Sequence, residues 1–248
     1  MEKLYNVIVA DLKRHESKEG AEYAKRWHKY DNYRSYGMFA ADMRNVFKQH
    51  KKEIQQLNCK QALDLACKLH SSHIEEQVQA GNYVLQQKID CITPAKFGYL
   101  DKALGHFSSW SQVDDICVEG GKVIVPLLLQ YPKEMLNLLR KWNKSKNMWK
   151  RRASVVPFTR KVGESGKFTK QGLELCDNLI WDKEDLVQKA VGWALKDMMR
   201  GDNQKVLAYV KKIRKAGVPS VIVLYALRDL PPHTRQQVLK IKPQKALH

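Results

Sequence analysis

The sequence predicts an all-α chain, and three observations carry that reading. Apolar residues recur at intervals of three and four almost throughout, and sustained alternation of period two is nearly absent. Turn signals built on Gly and Pro cut the 248 residues into about a dozen stretches of ordinary helical length. A pattern that begins on a tryptophan also returns after about forty residues.

Along the chain, the residues up to about Tyr36 are richer in Tyr and charge than the rest and read as a helical cap, 1–36, on one continuous domain, 1–248. Leu63, Leu65, Ala66 and Leu69, following Lys60, mark one apolar helix face. Thr93-Pro94 and Gly120-Gly121 are breaks. Met135, Leu136, Leu138 and Leu139 follow Tyr131-Pro132, where proline suits the first helical turn. Later breaks fall at Gly163 to Gly166, Gly201-Asp202, Gly217-Val218-Pro219 and Pro231-Pro232. Short helices joined by short loops imply neighbours packed antiparallel.

The repeat gives those helices an architecture. Trp142 to Val156 and Trp181 to Leu195 each begin with a tryptophan at the end of an apolar helix, cross a polar turn and enter a second helix. Helix pairs at this spacing are those of HEAT or armadillo units, which bury a continuous core when stacked. The expected architecture is a right-handed α-solenoid of HEAT-like helix pairs with a concave basic face. A globular helical bundle is the alternative.

Composition narrows the function classes. Lys and Arg number 44 against 26 Asp and Glu, a formal net charge of +18, so an anionic partner is the first expectation. No apolar run approaches the ~20 residues needed to cross a bilayer, and Lys3, Asp11, Lys13 and Arg14 crowd any candidate signal-peptide core. A cytoplasmic or nuclear protein is expected. Cys59, Cys67, Cys91, Cys117 and Cys176 are odd in number and form no C-x-x-C pair, so buried reduced thiols are expected rather than a disulfide framework or a zinc site. His70 and His73 can share a helix face but lack the acidic companion of a zincin, so no metal is expected.

The charge is clustered. Nine basic residues and no acidic one lie between Arg140 and Lys161, and Lys205, Lys211, Lys212, Arg214 and Lys215 form a second group. On successive repeats they would track a phosphate backbone, with Trp142 and Trp149 offering flat faces beside the charge. Nucleic acid is the expected partner. A membrane surface would call for a basic amphipathic helix with an apolar face, and none stands out.

No Walker loop, dinucleotide fingerprint or nucleophile elbow is present, so no nucleotide cofactor is expected. Instead Trp110 and Asp114, four apart in Trp110-Ser111-Gln112-Val113-Asp114-Asp115, share one helix face. Trp149 precedes Lys150, Arg151, Arg152 and Ala153, and Lys189-Ala190-Val191-Gly192-Trp193 follows. In this order the blocks resemble the AlkD-type alkylpurine DNA glycosylases, whose W-x-x-V-D, W-x-x-R-A and K-A-x-G-W motifs they match. The resemblance implies a HEAT-like fold and puts Asp114 at the catalytic carboxylate, between Trp110 and Trp193. It puts Arg152, rather than Arg151, at the arginine that contacts DNA, with Trp149 and Lys150 beside it. Trp27 maps to an aromatic that lines the cleft. The chain departs from the family at Ala40-Ala41, where a proline is usual, and after Gly217.

The implied activity is hydrolysis of the N-glycosidic bond of cationic N3- or N7-alkylated purines in duplex DNA, by a monomer without a deep base-flipping pocket. A carboxylate suits a sugar that becomes cationic as the bond breaks, and indole faces add a cation–π contribution. The alternative is a non-catalytic helical-repeat protein that binds damaged or branched DNA, or a protein-binding scaffold. Asp114 speaks against a pure DNA binder, because a carboxylate facing phosphates would weaken it.

Overall fold

The computed structural model describes residues 1–28, 32–118 and 123–243. The expected Gly120-Gly121 break lies outside them. Among the described residues the chain is all-helical, with seventeen α-helices and three short 3₁₀ turns, plus one isolated bridge between Arg34 and Ile74. Several helices are a single turn or two, which is why the count exceeds the dozen read from Gly and Pro breaks alone.

Two compact units divide the chain, 1–116 and 117–248. The first contains α1 (Glu2–Arg14), α2 (Lys18–Trp27), α3 (Ala40–Gln49), α4 (Lys51–Gln56), α5 (Cys59–His70), α6 (Glu75–Gln87), α7 (Gly98–Gly105) and most of α8 (Trp110–Cys117). Its centre is the α5–α6 pair. A reciprocal cap starts α5: the Asn58 side chain accepts from Gln61 N–H, and the Gln61 side chain accepts from Asn58 N–H. The predicted face, Leu63, Leu65, Ala66 and Leu69, is fully buried, each such side chain contributing about 1.5–3 kcal/mol on removal from water for the larger residues. α1 packs on α3, α5 and α6, and Asp11 accepts from His50 Nε2 at 2.9 Å.

The pairing of α5 with α6 overturns the expectation of five reduced thiols. It brings Cys59, at the start of α5, beside Cys91, in the 3₁₀ turn just past α6, and the two form a disulfide with Cα atoms 5.3 Å apart. A separation of 32 residues carries no motif that a count of cysteines could detect. Cys67, Cys117 and Cys176 stay outside any disulfide among the described residues.

The second unit contains α9 (Ile124–Gln130), α10 (Pro132–Asn143), α11 (Met148–Val155), α12 (Arg160–Glu164), α13 (Thr169–Asp177), α14 (Asp185–Gly201), α15 (Asn203–Ala216), α16 (Ser220–Ala226) and α17 (Pro232–Leu239). The pairs α10–α11 and α13–α14 pack within themselves and on each other. Asn143 Nδ2 donates to the Leu175 carbonyl, Asn178 to Asn143 Oδ1, and Arg152 to the Leu186 carbonyl, with partners 32 to 35 residues apart. These contacts tie the α13–α14 pair to the α10–α11 pair, at separations shorter than the roughly forty residues of the sequence repeat. Its leading tryptophans are not equivalent, however: Trp142 is fully buried in α10, whereas Trp181 lies beyond α13 and is 60% exposed.

The most extensive helix contact in this unit is between α14 and α16. A Cβ on Gly192 would lie 2.6 Å from Tyr225 Cβ and 2.9 Å from the Ile222 carbonyl, so the glycine of the K-A-x-G-W block is required by helix contact. Gly217 ends α15 in the left-handed conformation, φ 84°, the ordinary glycine stop.

Candidate functional site

In the first unit, α8 carries Trp110 and Asp114 one turn apart, and buried polar contacts hold its first turn. Glu75, at the start of α6, accepts from Ser109 Oγ (2.7 Å), Ser111 Oγ (2.5 Å), Gln112 Nε2 (2.9 Å) and Gln79 Nε2 (2.6 Å). Burial raises the Glu75 pKa above the usual carboxylate value, against the lowering effect of Ser111, Ser109 and Gln79. Glu76 beside it accepts from Ser35 Oγ, Tyr36 N–H and Met38 N–H. One acid thus fixes the entry to α8 and its neighbour fixes the loop that follows α2.

That loop matters because His28 lies at its start. The His28 ring stacks on Trp110, with centroids 5.2 Å apart, and on Tyr33 at 4.2 Å. Burial depresses its pKa to about 4, so the ring is neutral at pH 7. The aromatic that the structure brings to Trp110 is therefore His28. Trp27, the sequence candidate, is 63% exposed and meets Tyr23 edge-on at 6.3 Å.

Asp114 is half-buried. Asp115, next to it and also half-buried, accepts from Asn82 Nδ2 at 2.9 Å, while Asn82 Oδ1 lies 3.1 Å from His70 Nε2. The expectation that His70 and His73 share a helix face fails, because α5 ends at His70 and His73 adopts a left-handed backbone, φ 58°, beside His106. Burial depresses the His70 pKa to about 4.

The second unit holds the other candidates. Trp149 is 5% exposed and Trp142 is fully buried, which corrects the expectation that they present flat faces to a ligand. Both fall on the apolar sides of α11 and α10, and their size makes them core. The Asn147 side chain caps α11 by accepting from Trp149 and Lys150 N–H. Arg151 donates twice to Asp182, at 2.5 and 3.1 Å, and to the Ser145 and Lys146 carbonyls. Arg152 is buried and donates to the Leu186 carbonyl at 2.7 Å. Lys150 is half-buried. Trp193, half-buried on α14, has the Arg160 guanidinium 5.9 Å from its ring centroid. Arg160 adopts φ 51°, and its N–H donates to buried Asp197 at 2.7 Å.

The basic cluster is partly neutralised by the next helix pair. Arg140 pairs with Glu174, and Arg151 with Asp182. Lys144, Lys146, Lys211, Lys212 and Lys215 are exposed.

Residues 8–230 match the model of the family described as DNA alkylation repair enzyme. The chain belongs to that family. A structure described as "Predicted DNA alkylation repair enzyme from Enterococcus faecalis" superposes with a TM-score of 0.67 at 14% identity, over 88% of this chain and 98% of that one. That likeness shows a shared fold. A Pseudomonas fluorescens alkylpurine DNA glycosylase, AlkC, bound to DNA containing an abasic site analog, gives a TM-score of 0.45 at 13% identity, over 76% of this chain and 68% of that one. No curated protein matches.

Within this DNA alkylation repair family member, no described helix is long and apolar enough to cross a membrane. Sequence reasoning missed His28 and Glu75, and it read Arg160 only as one charge of the basic cluster. An acidic pair opening a helix is an ordinary N-terminal pattern, so nothing in the sequence sets Glu75 apart. His28 differs from Trp27 by one position, which only the end of α2 decides.

Proposed function

We propose that this DNA alkylation repair family member is a monofunctional, monomeric DNA glycosylase that releases positively charged N3- or N7-alkylated purines from duplex DNA. The C1′–N bond breaks with its electron pair going to the cationic base, which leaves neutral and needs no protonation. Water then adds to C1′ and gives its proton to solvent. Asp114 stabilises the cationic sugar and orients that water. Trp110, one turn from Asp114, supplies an indole face to the sugar, and Trp193 is the second tryptophan that the family resemblance implies. Arg152, Arg151, Lys150, Trp149 and Trp27 were the DNA-contact candidates. Phosphate positioning stays with Arg152 on the family resemblance alone, its guanidinium being buried on the Leu186 carbonyl, while the exposed lysines supply the general attraction for the backbone.

One observation supports this reading above the others. Trp110 and Asp114 sit one turn apart on a helix whose start is tied to a buried glutamate and whose tryptophan is braced by a neutral histidine. Such preorganisation is what electrostatic catalysis requires. The test is release of 7-methylguanine from a methylated duplex. Release above the protein-free rate supports the proposal, and duplex binding without release would favour a non-catalytic damage binder.

A further inference from the structure

We propose that His73 and His106 form a chelating site for a zinc ion in the first unit. His73 lies between α5 and α6, and His106 between α7 and α8. The sequence places His73 near His70 without an acidic companion, whereas the fold places it against His106. Neither His73 nor His106 has a part in the glycosylase reading, so the proposal does not depend on it.

The protonation pattern is the first observation. His73 Nδ1 lies 3.1 Å from the His106 carbonyl, which can only accept, so Nδ1 carries the ring proton and Nε2 keeps its lone pair. Ligating histidines are commonly held in this way, the other ring nitrogen donating to a backbone carbonyl.

A distance is the second. His106 Nδ1 lies 3.4 Å from His73 Nε2, which is long for a hydrogen bond. Two nitrogens on one tetrahedral zinc at the usual bond length stand about 3.3–3.4 Å apart. A square-planar ion with bonds of that length would bring them to about 2.9 Å. His106 becomes a ligand through Nδ1 in its Nε2–H tautomer, so both rings bind as neutral imidazoles.

The surroundings fit an ion of this class. Imidazole nitrogen suits zinc, whereas magnesium and calcium take oxygen ligands. His73 is exposed and His106 half-buried, which leaves water to complete the coordination. The bound ion would join the connection before α6 to the one before α8, the same two segments that Glu75 ties together through Ser109 Oγ.

The test uses the intact protein, stripped of metal and without DNA, with Zn²⁺ alone as the probe in competition with a chromophoric chelator at pH 7.5. One ion should bind with a dissociation constant on the order of 10 μM, since the pair supplies half the ligands of a structural zinc site. His73→Asn, a residue that tolerates the left-handed backbone at this position, and His106→Gln should each weaken binding by about tenfold or more. His15→Gln, at an exposed histidine elsewhere in the unit, should bind as wild type. In the wild-type protein, where folding of a variant is not at stake, the ring signals of His73 and His106 should be the first histidine resonances to shift as Zn²⁺ is added. Absence of zinc binding, affinity unchanged in His73→Asn or His106→Gln, an equal loss in His15→Gln, or earlier shifts at other histidines would overturn the proposal.

Discussion

His28 and Trp110 lie face to face, with ring centroids 5.2 Å apart and planes inclined by 23°. The contact joins the segment after α2 to the first residue of α8, and so links the N-terminal helices to the helix that carries Asp114. Removing the ring should let Trp110 shift. His28→Ala should lower single-turnover excision of 7-methylguanine by about three- to tenfold, since such aromatic pairs are worth about 0.5–1.5 kcal/mol. His28→Phe keeps a ring and should stay within about twofold of wild type. Trp27→Ala, at an exposed position, should match wild type. A larger loss at Trp27 than at His28 would return the cleft role to the tryptophan.

Stability should fall as the solution is acidified through a defined window. His28 and His70 both have folded pKa values near 4, against about 6.5 when unfolded. Between those values the unfolded chain binds more protons, so stability rises with pH there. It should be flat from these two groups above about pH 6.5 and decline as pH falls toward 4. Urea denaturation at several pH values checks this, and His70→Leu should flatten part of the slope whatever its effect at pH 7.

The two adjacent arginines should separate by the kind of defect they cause. Arg151 spends its guanidinium on buried Asp182 and two carbonyls, so Arg151→Ala leaves a buried carboxylate without its partner and should cost about 3–5 kcal/mol in stability. Arg152→Ala should weaken duplex binding and excision together, as a group acting before and during the reaction does. Thermal melts and binding isotherms of both variants make the comparison. Equal losses of affinity at matched stability would show that the sequence register does not distinguish them.

The helical class was legible because it rests on local periodicity. Leu63, Leu65, Ala66 and Leu69 fall where a 3.6-residue period puts them. What could not be read depends on packing between elements distant in sequence. Cys59 meets Cys91 only because α5 pairs with α6, and Trp149 is core only because α11 is covered. Arg151 and Arg152 look alike as a basic doublet, yet Arg151 turns to Asp182, 31 residues away, and Arg152 is buried against the Leu186 carbonyl, 34 residues away. The acidic pair Glu75 and Glu76 reads as a helix start and proves to be the anchor of two loops.

The cystine offers an independent check on the first unit. Non-reduced, denatured protein should show three titratable thiols, those of Cys67, Cys117 and Cys176, and five after reduction. Cys59→Ser should lower stability by about 3–4 kcal/mol, the loop-closure value for a segment of this length. Five thiols before reduction would show that the pair does not form.

Asp114→Asn tests the central claim most directly, because it keeps the shape of the side chain and removes its charge. Asp115 is unsuited as a silent control, since its carboxylate accepts from Asn82 inside the unit, so Asp114→Asn is compared with wild type at matched thermal stability. Single-turnover release of 7-methylguanine should fall by about 10²-fold or more, while duplex affinity holds or rises slightly. Release at the wild-type rate would contradict the catalytic assignment.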